Sequence, residues 1–131
     1  MQIASGDLWA GAEVQLYTLA NTLQKLPDVS VTVILLNQGT LADKLIETGI
    51  EVYILDESSL NDFQILRRLV HIIKEQHPDV IHTHRGKENI LGSIASFLAG
   101  SVPSIRTAHG APEHRPSALQ IHKSLSTCCN H

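Results

Sequence analysis

Hydrophobic and polar positions along the chain follow two alternating periods. Short runs rich in β-branched residues give way to longer stretches whose apolar residues recur every two to four positions, and the exchange repeats. Residues 2–5 predict a first strand. Residues 11–26 predict a helix in which Val14, Leu16, Tyr17, Leu19, Ala20, Leu23 and Leu26 draw one broad apolar face, stopped by Pro27-Asp28. Residues 29–36 are nearly apolar throughout, the pattern of a strand buried on both faces. Asn37-Gln38-Gly39 turns the chain into a short helix over 40–48, with Leu41, Leu45 and Ile46 inward and Gly49 as its C-terminal stop. A third strand over 50–55 and a polar loop over 56–59 lead to a helix over 60–77 carrying Phe63, Ile65, Leu66, Leu69, Val70, Ile72 and Ile73. Pro78-Asp79 ends it. A fourth strand over 80–84, a helix over 88–99 and a fifth strand over 102–108 complete the pattern. Strand–helix alternation with short links and apolar strands predicts a Rossmann-like, three-layer α/β domain, its parallel sheet covered by helices on both faces. That domain spans 1–110. Residues 111–131 differ: prolines, histidines and a polar end leave an irregular, partly helical tail.

Composition narrows the function. The chain has 131 residues, enough to bury a core but not to hold two full α/β domains. Lys and Arg number 10 against 13 Asp and Glu, a formal charge of −3, so no basic excess points to a nucleic acid backbone. The longest apolar run, 31–36, is broken by Thr32 and falls far short of a membrane span. The N-terminus shows neither the positive nor the apolar region of a signal peptide. The two cysteines, Cys128 and Cys129, are adjacent, and a bond between neighbours is strained; free thiols and a reducing, cytoplasmic setting are expected.

In open α/β sheets, ligands bind outside the carboxyl ends of the strands. Three segments fall there. The first is the loop from Gly6 through Trp9 and Ala10 to Gly11, Ala12 and Glu13. A glycine at a helix start lets a ligand approach the backbone, and the exposed N–H groups favour an anion such as a diphosphate. The alternative is a plain strand–helix turn. Glu13 stands where a nucleoside-triphosphate loop needs a lysine or hydroxyl, which excludes that motif. The second segment is His82-Thr83-His84-Arg85-Gly86. Residues i and i+2 of a strand share a face, so both imidazoles can enter one cavity with Arg85 at its mouth. They would form either a metal pair, completed by His109 or Asp56, or packed strand-end residues. The third is Thr107-Ala108-His109-Gly110, a histidine that titrates near neutrality and donates to a hydroxyl or phosphate, or else a structural turn residue. His71, His77, His114, His122 and His131 have no such setting, and the terminal Cys-Cys-Asn-His has the wrong spacing for a closed zinc site.

Taken in this order on these elements, the three segments resemble the N-terminal domain of family-four glycosyltransferases, a retaining group with the two-domain GT-B fold. The likeness rests on Ala10-Gly11-Ala12-Glu13, on Pro78-Asp79-Val80-Ile81-His82-Thr83-His84 and on Thr107-Ala108-His109-Gly110. The stretches 19–23 and 45–52 support it, and it covers about residues 1–115. The resemblance implies the acceptor-side half of an enzyme that moves a sugar from a nucleotide-sugar donor to a glycan or lipid acceptor. It implies Gly11 and Ala10 at the donor diphosphate, His109 at the donor sugar, and His84, Arg85, His82 and Trp9 along the acceptor cavity. Neither a cofactor nor a metal is implied, and a lipid acceptor implies peripheral membrane association. Ala10 replaces the first glycine of the family's Gly-Gly-Ala-Glu, and the donor-binding second domain has no counterpart in the chain. A truncated half, inactive alone, is therefore expected, arising as a fragment, a split gene or an altered frame. The alternatives are a non-catalytic binding subunit of a two-chain transferase with a donor-domain partner, and a metal-dependent hydrolase using His82, His84 and His109.

Overall fold

A computed structural model describes residues 1–108. The tail beyond residue 110, the boundary placed there and His109 lie outside the described residues. Strands and helices alternate as β1 (Gln2–Ala4), α1 (Gly11–Gln24), β2 (Thr32–Leu35), α2 (Thr40–Glu47), β3 (Glu51–Ile54), α3 (Asp62–Gln76), β4 (Ile81–Thr83), α4 (Gly86–Ala99) and β5 (Ser104–Arg106). Each expected element is present, with ends drawn in by a few residues. The strand at 29–36 begins only at Thr32, because its ladder with β1 starts at Val33 and its ladder with β3 at Thr32. One helix starts earlier than expected, at Gly86 rather than residue 88, with extended Arg85 as its N-cap.

All pairings are parallel, and the strand order is β3-β2-β1-β4-β5. Right-handed crossovers place successive helices on two faces. On one face, α1 and α2 bury Leu16, Ala20, Leu41 and Leu45 against Ala4, Val33 and Leu35. On the other, α3 and α4 bury Ile65, Leu69, Ile73, Leu91 and Ala95 against Ile3, Ile34 and Ile81. Burial of each large aliphatic side chain contributes about 1.5–3 kcal/mol. Gly92 lets α4 close on the sheet: a Cβ there would stand 3.0 Å from Thr83 Cγ2 and 3.3 Å from Ile3 Cδ1.

The expectation of strands buried on both faces holds for β1 and β2 and fails for the outer ones. Every residue of β5 is exposed, and Glu51 of β3 is exposed, because an edge strand has only one neighbour and is left uncovered where no helix reaches it. The helical faces are narrower than the apolar spacing implies. Val14 and Ile46 are exposed and Phe63 is 73% exposed, each on the flank of its helix away from the sheet, and Leu26 is exposed in the turn beyond the end of α1. Ala42, which the sequence pattern did not single out, is fully buried beside Leu41 and Leu45.

Candidate functional site

The strand order reverses between β1 and β4. The loop leaving β1 enters α1 on one face, and the loop leaving β4 enters α4 on the other, which opens a crevice between residues 5–11 and 84–86 at the carboxyl edge. Such a switch point is where open α/β sheets take ligands.

Gly11 is the first residue of α1 and is exposed, with nothing within 4 Å of where a Cβ would stand. Ala10, the N-cap, has no side chain able to accept a hydrogen bond from the helix. Gly39 and Arg85, the N-caps of α2 and α4, make no side-chain cap bond either. By contrast, α3 is closed by a reciprocal cap. Asn61 Oδ1 accepts from Gln64 N at 2.9 Å, and Gln64 Oε1 accepts from Asn61 N at 3.0 Å. The first-turn N–H groups of α1 are thus left for another acceptor, and the helix dipole favours a negative one. Trp9 precedes this turn. It packs edge-on against Tyr17 at 5.8 Å, and Lys44 Nζ sits 5.1 Å from its ring centroid.

His82 and His84 project on the α1 side of the sheet with ring centroids 4.3 Å apart. His84 is buried, its Nε2 in a hydrogen bond with Gln2 Oε1 at 2.9 Å. His82 is half-buried, its Nε2 2.8 Å from Thr107 Oγ1. The shared face expected from the spacing is present. Asp56, considered as a metal ligand, instead accepts Ser58 N at 2.8 Å, which holds its carboxyl below the usual carboxylate value. Among the described residues, no group of three or more His, Cys, Asp or Glu gathers around a common point. The His109 that the metal reading requires lies outside them.

Several residues at this edge were not singled out as candidates from the sequence. Glu13 is buried at the third position of α1. Its Oε2 accepts Ala10 N at 3.3 Å, and its Oε1 accepts Arg85 Nη2 at 2.7 Å. Arg85 also reaches Asp7 at 3.6 Å, so it bridges the crevice. Ser5 Oγ donates to Glu88, which is buried in the third position of α4. Lys87 meets Glu57 at 2.5 Å and Asp62 at 3.2 Å, and Asn37 donates to Glu57 at 3.0 Å. The local signal is a glutamate three residues after the N-caps of α1 and α4; the partners Arg85 of Glu13 and Ser5 of Glu88 lie far along the chain.

Between β1, α1 and β4 the crevice narrows to a cavity of about 10 Å³ bordered by Ser5, Glu13, His84 and Arg85, at most one water's worth. A ligand would therefore lie on the edge rather than enter it. A cleft of about 520 Å³ lies at the opposite, amino-terminal edge, bordered by Met1, Leu23, Asp28 and Asp79, away from these loops. No helix among the described residues is long and apolar enough to cross a membrane.

A parallel five-stranded sheet whose order reverses between β1 and β4, with helices on both faces, defines a Rossmann-like α/β domain. The chain belongs to Glycosyltransferase Family 4, whose model matches residues 9–127. Over 53 residues it is 40% identical to the UDP-Gal:alpha-D-GlcNAc-diphosphoundecaprenol alpha-1,3-galactosyltransferase of Escherichia coli, a stretch covering 40% of this chain and 14% of that enzyme. Its fold matches Anabaena HepE, solved in complex with UDP and glucose, with a TM-score of 0.67 and 24% identity, over 96% of this chain and 35% of that one. A glycosyltransferase from Rickettsia africae matches with a TM-score of 0.67 and 22% identity, over 95% of this chain and 33% of that one. The chain thus spans about a third of the length of these solved relatives.

Proposed function

We propose that this chain supplies the acceptor-side half of a retaining glycosyltransferase that uses a nucleotide-sugar donor. The observation that carries the reading is the uncapped α1 N-terminus at the switch point, in a chain of this family. Gly11 and Ala10 would present backbone N–H groups to the donor diphosphate, whose charge the helix dipole favours. His84, Arg85, His82 and Trp9 would border the acceptor, and His109 would orient the donor sugar. The donor phosphate would take the acceptor's proton as the sugar transfers with retention, so no protein nucleophile is needed. The near-filled crevice supports this division of labour, because an edge without an enclosed pocket suits one wall of a cleft between two domains. The named substrate of the Escherichia coli relative, a diphosphoundecaprenol-linked sugar, favours a lipid-linked acceptor and contact with a membrane surface.

The test has two arms on the purified 131-residue chain. Titration with UDP should shift the backbone amides of residues 10–13, and incubation with UDP-sugars should give no transfer. Robust transfer by this chain alone would refute the acceptor-side reading. Absence of any shift at α1 would refute the diphosphate site.

A further inference from the structure

The loop from Ser5 to Gly11 is fastened at both ends by one short segment, residues 85–88. At its start, Ser5 Oγ donates to Glu88. Just past its far end, in the first turn of α1, Glu13 binds Arg85 at 2.7 Å, and within the loop Asp7 lies 3.6 Å from the same guanidinium. A glutamate at the third position of a helix ordinarily folds back on the N-cap N–H, as Glu13 does. Glu88 does not; it reaches across the crevice, 2% exposed, and its Oε2 has no hydrogen-bond partner among the described residues.

Arg85 also settles an electrostatic conflict. Glu13 is 4% exposed and sits in the turn whose N–H groups would face an anion. Left alone, that carboxylate would repel a diphosphate. A guanidinium 2.7 Å away cancels its charge, and the planar fork lets Arg85 hold Asp7 at the same time, which a lysine's point charge cannot do as well.

We propose that Arg85 and Glu88 are positioning residues: Arg85 by neutralising Glu13, and Glu88 by anchoring Ser5, hold the β1–α1 loop in the form that receives a diphosphate. This rests on the reading of the α1 N-terminus as the diphosphate site. The consequence is a physical link between the two walls of the crevice. The segment proposed to border the acceptor is the one that holds the donor loop.

The experiment uses inorganic pyrophosphate as the probe, titrated into the full chain and followed at the backbone amides of residues 6–13, with amide hydrogen exchange measured without ligand. Arg85→Ala should weaken pyrophosphate binding by about tenfold or more, the scale of an uncompensated like charge a few ångströms from the anion, and speed exchange in the loop. Adding Glu13→Gln to Arg85→Ala should restore most of the affinity, because the uncompensated carboxylate is gone. If the double variant binds as weakly as Arg85→Ala, Arg85 touches the anion directly and the positioning role is wrong. Glu88→Gln, which still accepts from Ser5, should keep the loop protected, and Glu88→Ala should not. Equal protection in both would remove Glu88 from the proposal. If the unaltered chain shows no pyrophosphate shifts, the diphosphate reading falls, and the exchange data on Arg85→Ala and Glu88→Ala still decide whether the loop is held as described.

Discussion

Gly6 and Gly39 cross so closely that a Cβ on Gly39 would stand 2.2 Å from the carbonyl oxygen of Gly6. Gly6 in turn leaves only 2.9 Å between its own Cβ position and the Asn37 carbonyl oxygen. Two loops, leaving β1 and β2, therefore pack backbone against backbone at the carboxyl edge. Gly39 is extended, with φ at 174°, so the requirement is for space and not for an unusual backbone angle.

Gly39→Ala should accordingly destabilise the protein by about 1–3 kcal/mol, the range for overpacking, and should displace the loop ahead of α1. Gly11→Ala faces open space and should change stability by no more than about 0.5 kcal/mol. Urea unfolding of both variants checks the contrast, and amide shifts over residues 6–11 check the displacement. Equal stability of the two would refute the close crossing.

The buried histidine offers a second test. His84→Ala leaves the Gln2 side chain, itself buried, without its partner and takes away the ring that lies against His82. The expected loss is about 1–3 kcal/mol, the cost of an unsatisfied buried polar group. Denaturant unfolding measures it. A loss below about 0.5 kcal/mol, typical of surface sites, would show that the Gln2 contact is not maintained.

Acid and base should each weaken the Glu57–Lys87 pair. Hydrogen bonds from Lys87 and Asn37 hold the Glu57 carboxyl below its ordinary value of 4.5. Its contribution is then present above that value and is lost as pH falls through the lower folded one. Hydrogen bonding to Glu57 raises Lys87 above 10.5, so its contribution is complete below that value and lost as pH rises through the folded one. The stability difference between the unaltered chain and Glu57→Gln, measured across pH, should be largest in the plateau between and shrink at both ends. Both groups are largely solvated, so the difference is expected to be small and to fall with salt. A difference independent of pH would refute the pairing.

The architecture was legible because its signals are local. The β-branched run at β2, helical spacing such as Leu69–Ile72–Ile73, and stops such as Pro27 and Pro78 act within a few residues. The glycine at the start of α1 and the shared face of His82 and His84 were legible for the same reason. The exposure of β5 and of Phe63 was not, because an apolar residue carries no mark of whether its strand ends at a sheet edge or its helix flank meets a neighbour. Glu13 illustrates the limit at the site: in the sequence it excludes a triphosphate loop, while in the structure it is buried and neutralised.

What the chain alone determined was the order and kind of its elements and the placing of its glycine and histidine motifs at strand ends, because propensity, periodicity and turn chemistry are properties of neighbouring residues. Tertiary structure decided which residues share the carboxyl edge. Arg85 meets Glu13 across 72 positions and Ser5 meets Glu88 across 83, because the sheet sets β4 beside β1 and turns their following helices to opposite faces.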